Sequence, residues 1–293
     1  MSRRFPYLQV DVFTSRPLEG NALAVVTDAR GLDDGEMQKL ARETNLSETT
    51  FIFPRDAATE RERGVRVRIF TVQEELPFAG HPTLGTAAVL RNKTGAGVIE
   101  LDLNVGKIPV HFTEEGGLPF GEMRQRDPEF GVRHSREDVA RVTGLKIEEF
   151  SDDAPIQTVS TGLVFTIVPV RTLASVKALN PDLKLASAYL QRSGGKFFYF
   201  VTREAEDKSA RLHARMIFYN GDDPATGSAA GCTAAWMVAH GVVQSDERAL
   251  IEQGTETRRP SRIFVRAARE GDRIVNVRVG GNSVEVMRGE MFL

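Results

Sequence analysis

The chain has 293 residues, of which 41% are apolar and 27% are charged, and its formal net charge is −2. This composition is typical of a globular protein and lacks the basic excess of a nucleic-acid-binding surface. The single cysteine, Cys232, excludes an internal disulfide and a metal site built from several cysteines. The first residues run directly into strand-like sequence, and no apolar run is long enough to cross a bilayer. We therefore expect no signal peptide, no membrane association and a cytoplasmic location.

The first part of the chain alternates predicted strands with one amphipathic helix. A helix is predicted over 33–44 because its apolar residues fall on one face, and Asp33 or Asp34 is a suitable N-cap. Alternating and β-branched residues predict strands at 7–13, 22–27, 49–53 and 65–70, and a hairpin at 97–112 around Asn104-Val105-Gly106.

The later part of the chain repeats this order of elements. A helix is predicted at 181–192, and strands are predicted at 157–170, 196–201, 212–218 and 263–267. Residues 113–156 contain the Gly- and Pro-rich stretch GGLPFGEMRQRDPEFG, which is typical of loops. We interpret 113–156 as the crossover between the two parts.

One sequence pattern occurs twice. Residues 68–90 align without a gap on residues 215–237, so that Arg68 matches Arg215, Pro77 matches Pro224 and Gly80 matches Gly227. A long period that covers the chain only twice indicates a duplicated domain of about half the chain rather than a solenoid. We expect one domain at 1–118, completed by a C-terminal strand at 281–293, and a second at 119–280. A cleft between two similar domains is a favoured ligand site.

Two segments that follow the repeated glycines lack a polar face. Residues 82–91 and 229–240 are small or apolar all round, and a helix of that kind is usually buried. The small residues also allow strands to pack closely against it. The predicted fold class is therefore α+β, with two similar domains that each wrap a curved, mostly antiparallel sheet around a central buried helix.

The start of each apolar helix is a candidate anion site. Gly80-His81 and Gly227-Ser228 open the two helices, and a helix N-terminus presents unpaired N–H groups with partial positive charge. Two such ends that face one cleft would hold a small carboxylate. The alternative is that both glycines serve only tight turns, and the sequence leaves this choice open.

Four polar side chains stand at predicted helix or strand ends and could carry chemistry. Glu48 offers an acid/base carboxylate, His81 an imidazole that titrates near neutrality, and Asp223 and Ser228 offer hydrogen-bonding groups. Each also has a structural interpretation. Glu48 could be a solvated residue before a strand, His81 a cap or packed side chain, Asp223 part of a turn or an N-cap, and Ser228 an N-cap.

Several common functional motifs are absent. GDDPATGS has no lysine after its second glycine, so it is not a phosphate-binding loop, and the spacing around Ser228 is not that of a nucleophile elbow. No dinucleotide-binding fingerprint occurs. The five histidines are scattered without a pair at metal-ligand spacing, so we expect no metal site.

The motifs resemble those of the PhzF-like (phenazine biosynthesis) family, which is related in fold to diaminopimelate epimerase. The resemblance is carried by four segments and covers nearly the whole chain: VDVFTSRPLEGNALAVV at 10–26, NLSETTFIF at 45–53, RIFTVQEELPFAGHPTLG at 68–85 and GDDPATGSAAG at 221–231. It implies a two-domain fold, a homodimer and isomerisation by a proton shift without a cofactor. It also implies that Glu48 is the catalytic glutamate, that His81 and Asp223 belong to the active site, and that Ser228 binds substrate.

The expected function is that of a cofactor-independent isomerase acting on a small carboxylate, similar to trans-2,3-dihydro-3-hydroxyanthranilate isomerase. Glu48 would move the proton, with a pKa raised by partial burial, while backbone N–H groups at Gly80-His81 and Gly227-Ser228 hold the substrate and Asn21 is a further contact. The alternatives are a small-carboxylate racemase or epimerase, and a non-catalytic carboxylate-binding protein. The two-cysteine chemistry of the related epimerase is excluded, and Cys232 is interpreted as a packed core residue.

Overall fold

The computed structural model describes residues 3–218 and 221–293, and the chain divides into two compact units. Unit 1 contains the described residues up to 124 together with 280–293, and unit 2 contains the described residues of 125–279. Tyr219 and Asn220, which belong to the second copy of the repeated pattern, lie outside the described residues.

Unit 1 is built from strands with three helices between them. Its helices are α1 (Asp34–Thr44), α2 (Ala57–Arg63) and α3 (Gly80–Thr94). Its strands are β1 (Arg4–Val12), β2 (Asn21–Val26), β3 (Glu48–Phe53), β4 (Val65–Phe70), β5 (Glu75–Leu76), β6 (Val98–Leu103), β7 (Gly106–Glu115) and β8 (Leu118–Arg124), and the last strand of the chain, β18 (Arg273–Phe292), enters it from unit 2.

The sheet of unit 1 closes on itself. Its strand order is β1-β2-β3-β4-β6-β7-β8-β18, and β1 also pairs with β18. Strand β2 is parallel to β3 and β4 is parallel to β6, whereas β1–β2, β3–β4, β6–β7 and β7–β8 are antiparallel. The short β5 adds to β4. Unit 1 is thus a closed, mixed sheet with helices, as expected for an α+β protein.

Unit 2 has its own helices and strands. The helices are α4 (Arg136–Thr143), a 3₁₀ turn (Ile147–Glu149), α5 (Leu173–Lys177), α6 (Leu183–Ser193) and α7 (Gly227–Ala239). The strands are β9 (Glu129–Arg133), β10 (Gln157–Ser160), β11 (Val164–Pro169), β12 (Phe197–Thr202), β13 (Leu212–Arg215), β14 (Ile217–Phe218), β15 (Gly221–Asp222), β16 (Ala249–Gln253), β17 (Ser261–Glu270) and the first part of β18.

The sheet of unit 2 follows the same succession of pairings as that of unit 1. Its order is β9-β10-β11-β12-β13-β16-β17-β18. From β10 to β17 the pairs are antiparallel, parallel, antiparallel, parallel and antiparallel. From β1 to β7 in unit 1 the pairs run in the same sequence. Strand β9 is an additional strand that pairs with β10.

Helix α1 forms where its sequence predicts. The Asp33 side chain accepts a hydrogen bond from the Glu36 N–H, and the Glu36 side chain accepts one from the Asp33 N–H, which makes a capping box. The helix ends at Asn45, which adopts the left-handed conformation at φ 51°. Its buried residues are Met37, Leu40 and Ala41, as the helical spacing predicts.

The two apolar helices predicted from the sequence are confirmed and are buried. Every residue of α3 from Gly80 to Val89 is buried, and the helix packs on β1, β2, β3, β6, β7 and β8. A Cβ at Gly85 would lie 2.7 Å from the side chains of Val12 and Leu23, so only glycine allows this close approach. Helix α7 is buried from Gly227 to Val238 and packs on β10, β11 and β17.

The interpretation of 113–156 as a crossover is wrong for much of that segment. It contains the end of β7, all of β8 and β9, and helix α4. Gly116 and Gly117 form a two-residue hairpin turn between β7 and β8, and both have positive φ. Two consecutive residues with positive φ are what a tight hairpin requires, so these glycines mark a strand connection rather than a long loop.

Among the described residues, no helix combines the length and the apolar character needed to span a bilayer.

Candidate active site

Glu48 lies at the start of β3 in unit 1 and is buried. Its exposed fraction is 9%, and in the parallel pairing of β2 with β3 it stands opposite Leu23. Because β3 also pairs with β4 on its other side, the glutamate begins an interior strand. Its interpretation as a solvated residue is therefore wrong.

His81 lies in the first turn of α3 and contacts two other polar side chains. Its Nε2 atom is 3.5 Å from Oε2 of Glu48, and its Nδ1 atom is 3.4 Å from Nδ2 of Asn21. Asn21 is the first residue of β2 and is buried, as is His81. The start of two neighbouring parallel strands and the start of the buried helix thus bring Glu48, His81 and Asn21 together.

The imidazole of His81 is neutral at physiological pH. Burial lowers its pKa from 6.5 to about 3, and a hydrogen bond with the backbone of Ala22 offsets this only in part. The contact with Glu48 is therefore not an ion pair near pH 7. The sequence-based expectation of an imidazole that titrates near neutrality is wrong, because the surrounding protein excludes the water that would solvate the charged form.

One buried polar atom of His81 is available for a bound molecule. Nε2 of His81 is buried and makes no hydrogen bond within the described part of the chain. Buried polar atoms are nearly always hydrogen-bonded in proteins, and an exception commonly has a functional cause. The atom faces Glu48, so it belongs to the same small polar region.

The N-terminus of α3 has no side-chain cap. Its N-cap residue is Ala79, which cannot accept a hydrogen bond through its side chain, and Gly80 is the first helical residue. Thr83 does not replace the cap, since its hydroxyl donates to the Ala79 carbonyl at 2.7 Å. The first-turn N–H groups near Gly80 and His81 therefore retain the partial positive charge of the helix end.

Asp223 lies in unit 2, in the segment that leads to α7. Its backbone N–H donates to the carbonyl of Met216 at 2.9 Å, and its Oδ2 atom accepts a hydrogen bond from the Thr226 hydroxyl at 2.5 Å. Thr226 is the N-cap residue of α7 but gives its hydroxyl to Asp223, and it makes no side-chain cap of the helix. The interpretation of Asp223 as an N-cap is wrong.

Gly227 and Ser228 are the first two residues of α7, and both are buried. Ser228 lies inside the helix, so its interpretation as an N-cap is also wrong. The carbonyl of Gly227 accepts a hydrogen bond from Nε2 of Gln125 at 3.0 Å. A Cβ at Gly231 would lie 1.9 Å from Oε1 of Gln125, which shows how closely this side chain approaches the helix.

The predicted site residues thus form one group in each unit: Asn21, Glu48, Gly80 and His81 in unit 1, and Asp223, Gly227 and Ser228 in unit 2. Sequence reasoning missed three polar residues of the second group: Thr226, Gln253 and Tyr199. Thr226 could have been found because it lies inside the motif DPATGSA. Gln253 and Tyr199 lie at the end or in the middle of apolar strands and carry no local signal.

The comparisons with known proteins identify the family. A profile of the phenazine biosynthesis-like proteins, PhzC-PhzF, matches residues 10–289. The trans-2,3-dihydro-3-hydroxyanthranilate isomerase of Pseudomonas chlororaphis is 34% identical over 292 residues, which cover 98% of this chain and 99% of that protein. The chain belongs to the phenazine biosynthesis-like (PhzC-PhzF) family. It is an isomerase, the class to which its curated relatives are assigned.

Solved structures agree with this family and with the fold. The phenazine biosynthesis protein of the PhzF family from Bacillus anthracis has a TM-score of 0.89 and 26% identity, with 99% of this chain and 100% of that chain covered. A protein from Pseudomonas aeruginosa that is described as a predicted epimerase has a TM-score of 0.84 and 36% identity, with 98% and 99% covered. The chain therefore shares the α+β fold of these PhzF-family structures.

Proposed function

We propose that this isomerase moves a proton on a small carboxylate substrate without a cofactor, and that Glu48 carries the proton. The observation that carries the proposal is the contact of Glu48 with a neutral, buried His81 at the start of α3. A general acid/base works best with a pKa near the operating pH, and burial raises the pKa of a carboxyl group toward neutrality. The chain's relatives include the hydroxyanthranilate isomerases, so the proposed substrate resembles trans-2,3-dihydro-3-hydroxyanthranilate.

The other predicted residues bind and orient the substrate in this proposal. His81, held next to Asn21, and Asp223 position polar substituents of the substrate. The N–H groups at Gly80-His81 and Gly227-Ser228 bind its carboxylate, since neither helix start has a side-chain cap.

The proposal includes a duplicated architecture and a homodimer. The same succession of strand pairings in the two units supports a duplication, and the burial of α3 and α7 supports a central helix in each repeat. The domain bounds at 1–118 with 281–293, and at 119–280, stay predictions, as do the homodimer and the cytoplasmic location.

A racemase or epimerase is the second candidate, favoured by the solved relative that is described as an epimerase. Such two-base chemistry needs a second acid/base group on the opposite face of the substrate. Gly195 occupies the repeat position that corresponds to Glu48. The only cysteine, Cys232, is confirmed as a buried core residue, and burial raises the pKa of its thiol to about 11. A thiol of that kind is a poor base at neutral pH, so the one-base isomerase is the better proposal.

The change Glu48→Gln tests the role of the glutamate. It keeps the size of the side chain and removes the base, so we expect isomerisation of dihydro-hydroxyanthranilate-like carboxylates to fall about a hundredfold or more. Glu43→Gln is a matched control, because it makes the same charge change at an exposed residue of the preceding helix. Normal turnover by the Glu48 variant would contradict the assignment.

Solvent deuterium separates the isomerase from a non-catalytic binding protein. In heavy water, with no added cofactor or metal, the wild-type protein should form the isomer and place some deuterium in it, because the proton resides on Glu48 during the reaction. Asp223→Asn should slow this exchange less than Glu48→Gln does, since Asp223 is proposed to orient rather than to transfer. Binding of carboxylates with neither isomer nor deuterium would favour the binding-protein alternative, and activity that needs an added cofactor would refute the cofactor-free mechanism.

A further inference from the structure

The side chain of Gln253 connects three segments of unit 2 from a fully buried position. Gln253 is the last residue of β16. Its Nε2 atom donates to the carbonyl of Asp223 at 2.7 Å and to the Thr226 hydroxyl at 3.0 Å. Its Oε1 atom accepts from the Thr226 N–H at 3.1 Å and from the Tyr199 hydroxyl at 2.8 Å.

The orientation of this amide is fixed by its backbone partners. The Thr226 N–H can only donate, so it requires the oxygen of Gln253, and the Asp223 carbonyl can only accept, so it requires the nitrogen. The amide cannot be turned over without the loss of both bonds. Burial and the nearby Asp223 carboxylate raise the pKa of Tyr199 well above 10, so its hydroxyl stays protonated and can donate to Gln253.

This orientation determines where the Thr226 hydroxyl proton points. The hydroxyl oxygen accepts from Gln253 and has one proton to donate. Two acceptors lie in reach, the Asp223 carboxylate at 2.5 Å and the Met216 sulfur at 3.1 Å. A carboxylate is a far stronger acceptor than a thioether, and the shorter distance agrees with a bond to the carboxylate. The proton therefore points at Asp223.

We propose that Gln253 is a positioning residue of the active site, which acts through Thr226 to hold Asp223 as an ionised hydrogen-bond acceptor. The proposal rests on the proposed role of Asp223 in substrate binding. A hydroxyl that donates to a carboxyl group stabilises its ionised form. The network thus suits a carboxylate that orients a substrate, and it leaves proton transfer to Glu48.

The ionisation of Asp223 tests the proposal without any substrate. The carboxyl carbon of Asp223 is followed by ¹³C NMR as a function of pH and assigned by its absence in Asp223→Asn. We expect the titration midpoint to rise by about one pH unit in Thr226→Val, which lacks the hydroxyl, and to stay at the wild-type value in Thr226→Ser. Gln253→Met should also raise it, and the double variant with Thr226→Val should show little further change because both act on one hydrogen bond.

The matched control is Gln157→Met. Gln157 is also buried in a strand of unit 2. Its side chain is hydrogen-bonded to the carbonyl of Gly131 and to His240, and not to Asp223 or Thr226. Its variant should leave the Asp223 titration unchanged. If Gln253→Met does not fold, Tyr199→Phe replaces it, because this change removes one of the hydrogen bonds that hold the Gln253 amide. The comparison of Thr226→Val with Thr226→Ser still shows whether the Thr226 hydroxyl donates its proton to Asp223.

Activity provides a second measurement. With a substrate that the wild-type protein isomerises, Thr226→Val and Gln253→Met should lower kcat/KM about tenfold and Thr226→Ser should retain it. An inactive wild-type protein would refute the proposed function, while the titration would still report on the network. Titration curves that are the same in wild type, Thr226→Val and Gln253→Met would overturn the proposal for Gln253.

Discussion

The neutral state of His81 makes the stability of the protein sensitive to mild acid. In the folded protein its pKa is about 3, and in the unfolded chain it returns to the ordinary value of 6.5. Below pH 6.5 the unfolded chain binds a proton at His81 that the folded protein does not bind. The contribution of the neutral His81 to the free energy of unfolding is therefore complete above pH 6.5 and is lost as the pH falls toward 3. The loss is about 1.4 kcal/mol per pH unit in this window, or about 2 kcal/mol at pH 5.

The change His81→Gln removes the titrating imidazole and keeps a polar side chain. We expect the free energy of unfolding of the wild type, relative to that of the variant, to fall by about 2 kcal/mol between about pH 7.5 and pH 5. Urea unfolding followed by circular dichroism at a series of pH values measures both proteins. His111→Gln, at an exposed histidine of β7, is the matched control and should follow the wild-type curve.

A constant difference between wild type and His81→Gln over this range would refute the reasoning. It would mean that His81 is protonated in the folded protein at about pH 5, and its contact with Glu48 would then be an ion pair. The role of His81 as a neutral hydrogen-bonding group would have to be abandoned, although Glu48 could still be the base.

Two further predictions concern unit 2. Burial alone would lower the pKa of His213, but hydrogen bonds to Glu252 at 2.7 Å and Glu256 at 2.9 Å outweigh it and raise the pKa to about 9. The stabilisation that protonated His213 provides is complete below pH 6.5 and is lost as the pH rises through about 9. The free energy of unfolding of wild type, relative to that of His213→Gln, should therefore fall by a few kcal/mol between about pH 6.5 and pH 10 in the same urea assay. A difference that does not change with pH would contradict this prediction. Gly231→Ala should destabilise the protein by about 1–3 kcal/mol, because the added Cβ would overlap Gln125 and this outweighs the roughly 1 kcal/mol that alanine gains in a helix. Gly97→Ala, whose Cβ would meet nothing within 4 Å, is the control and should be near neutral in thermal unfolding.

The apolar helices could be predicted because their evidence is local. Small and apolar residues all round a segment have no good arrangement except burial, and α3 and α7 follow this rule. The capping box of α1 is equally local. The hairpin between β7 and β8 was missed although its signal, Gly116-Gly117, was present, because glycine pairs indicate both loops and tight turns.

The protonation of the site could not be predicted because it depends on tertiary burial. Glu48 looks like an exposed residue at the end of an element, and the pairing of β3 with strands on both sides removes it from water. His81 is buried with the first turn of α3. Gln253 is similar, since its role arises when residues 199, 223–226 and 253 meet. A glutamine at the end of an apolar strand has no feature in the sequence that distinguishes it from a solvated strand end.

The two proposed carboxylates differ in surroundings, and this difference supports different roles for them. Glu48 is buried, and the imidazole beside it carries no charge at neutral pH. Asp223 accepts a short hydrogen bond from a hydroxyl whose orientation Gln253 fixes, and a bond donated in this way favours the ionised form of a carboxyl group. In the proposed mechanism Glu48 takes up a proton and gives it back, so it must reach both forms, whereas a carboxylate that orients the substrate stays ionised throughout. A one-base isomerase therefore needs a single group that alternates between the two forms, which is the role proposed for Glu48, and a second group that orients the substrate, which is the role proposed for Asp223.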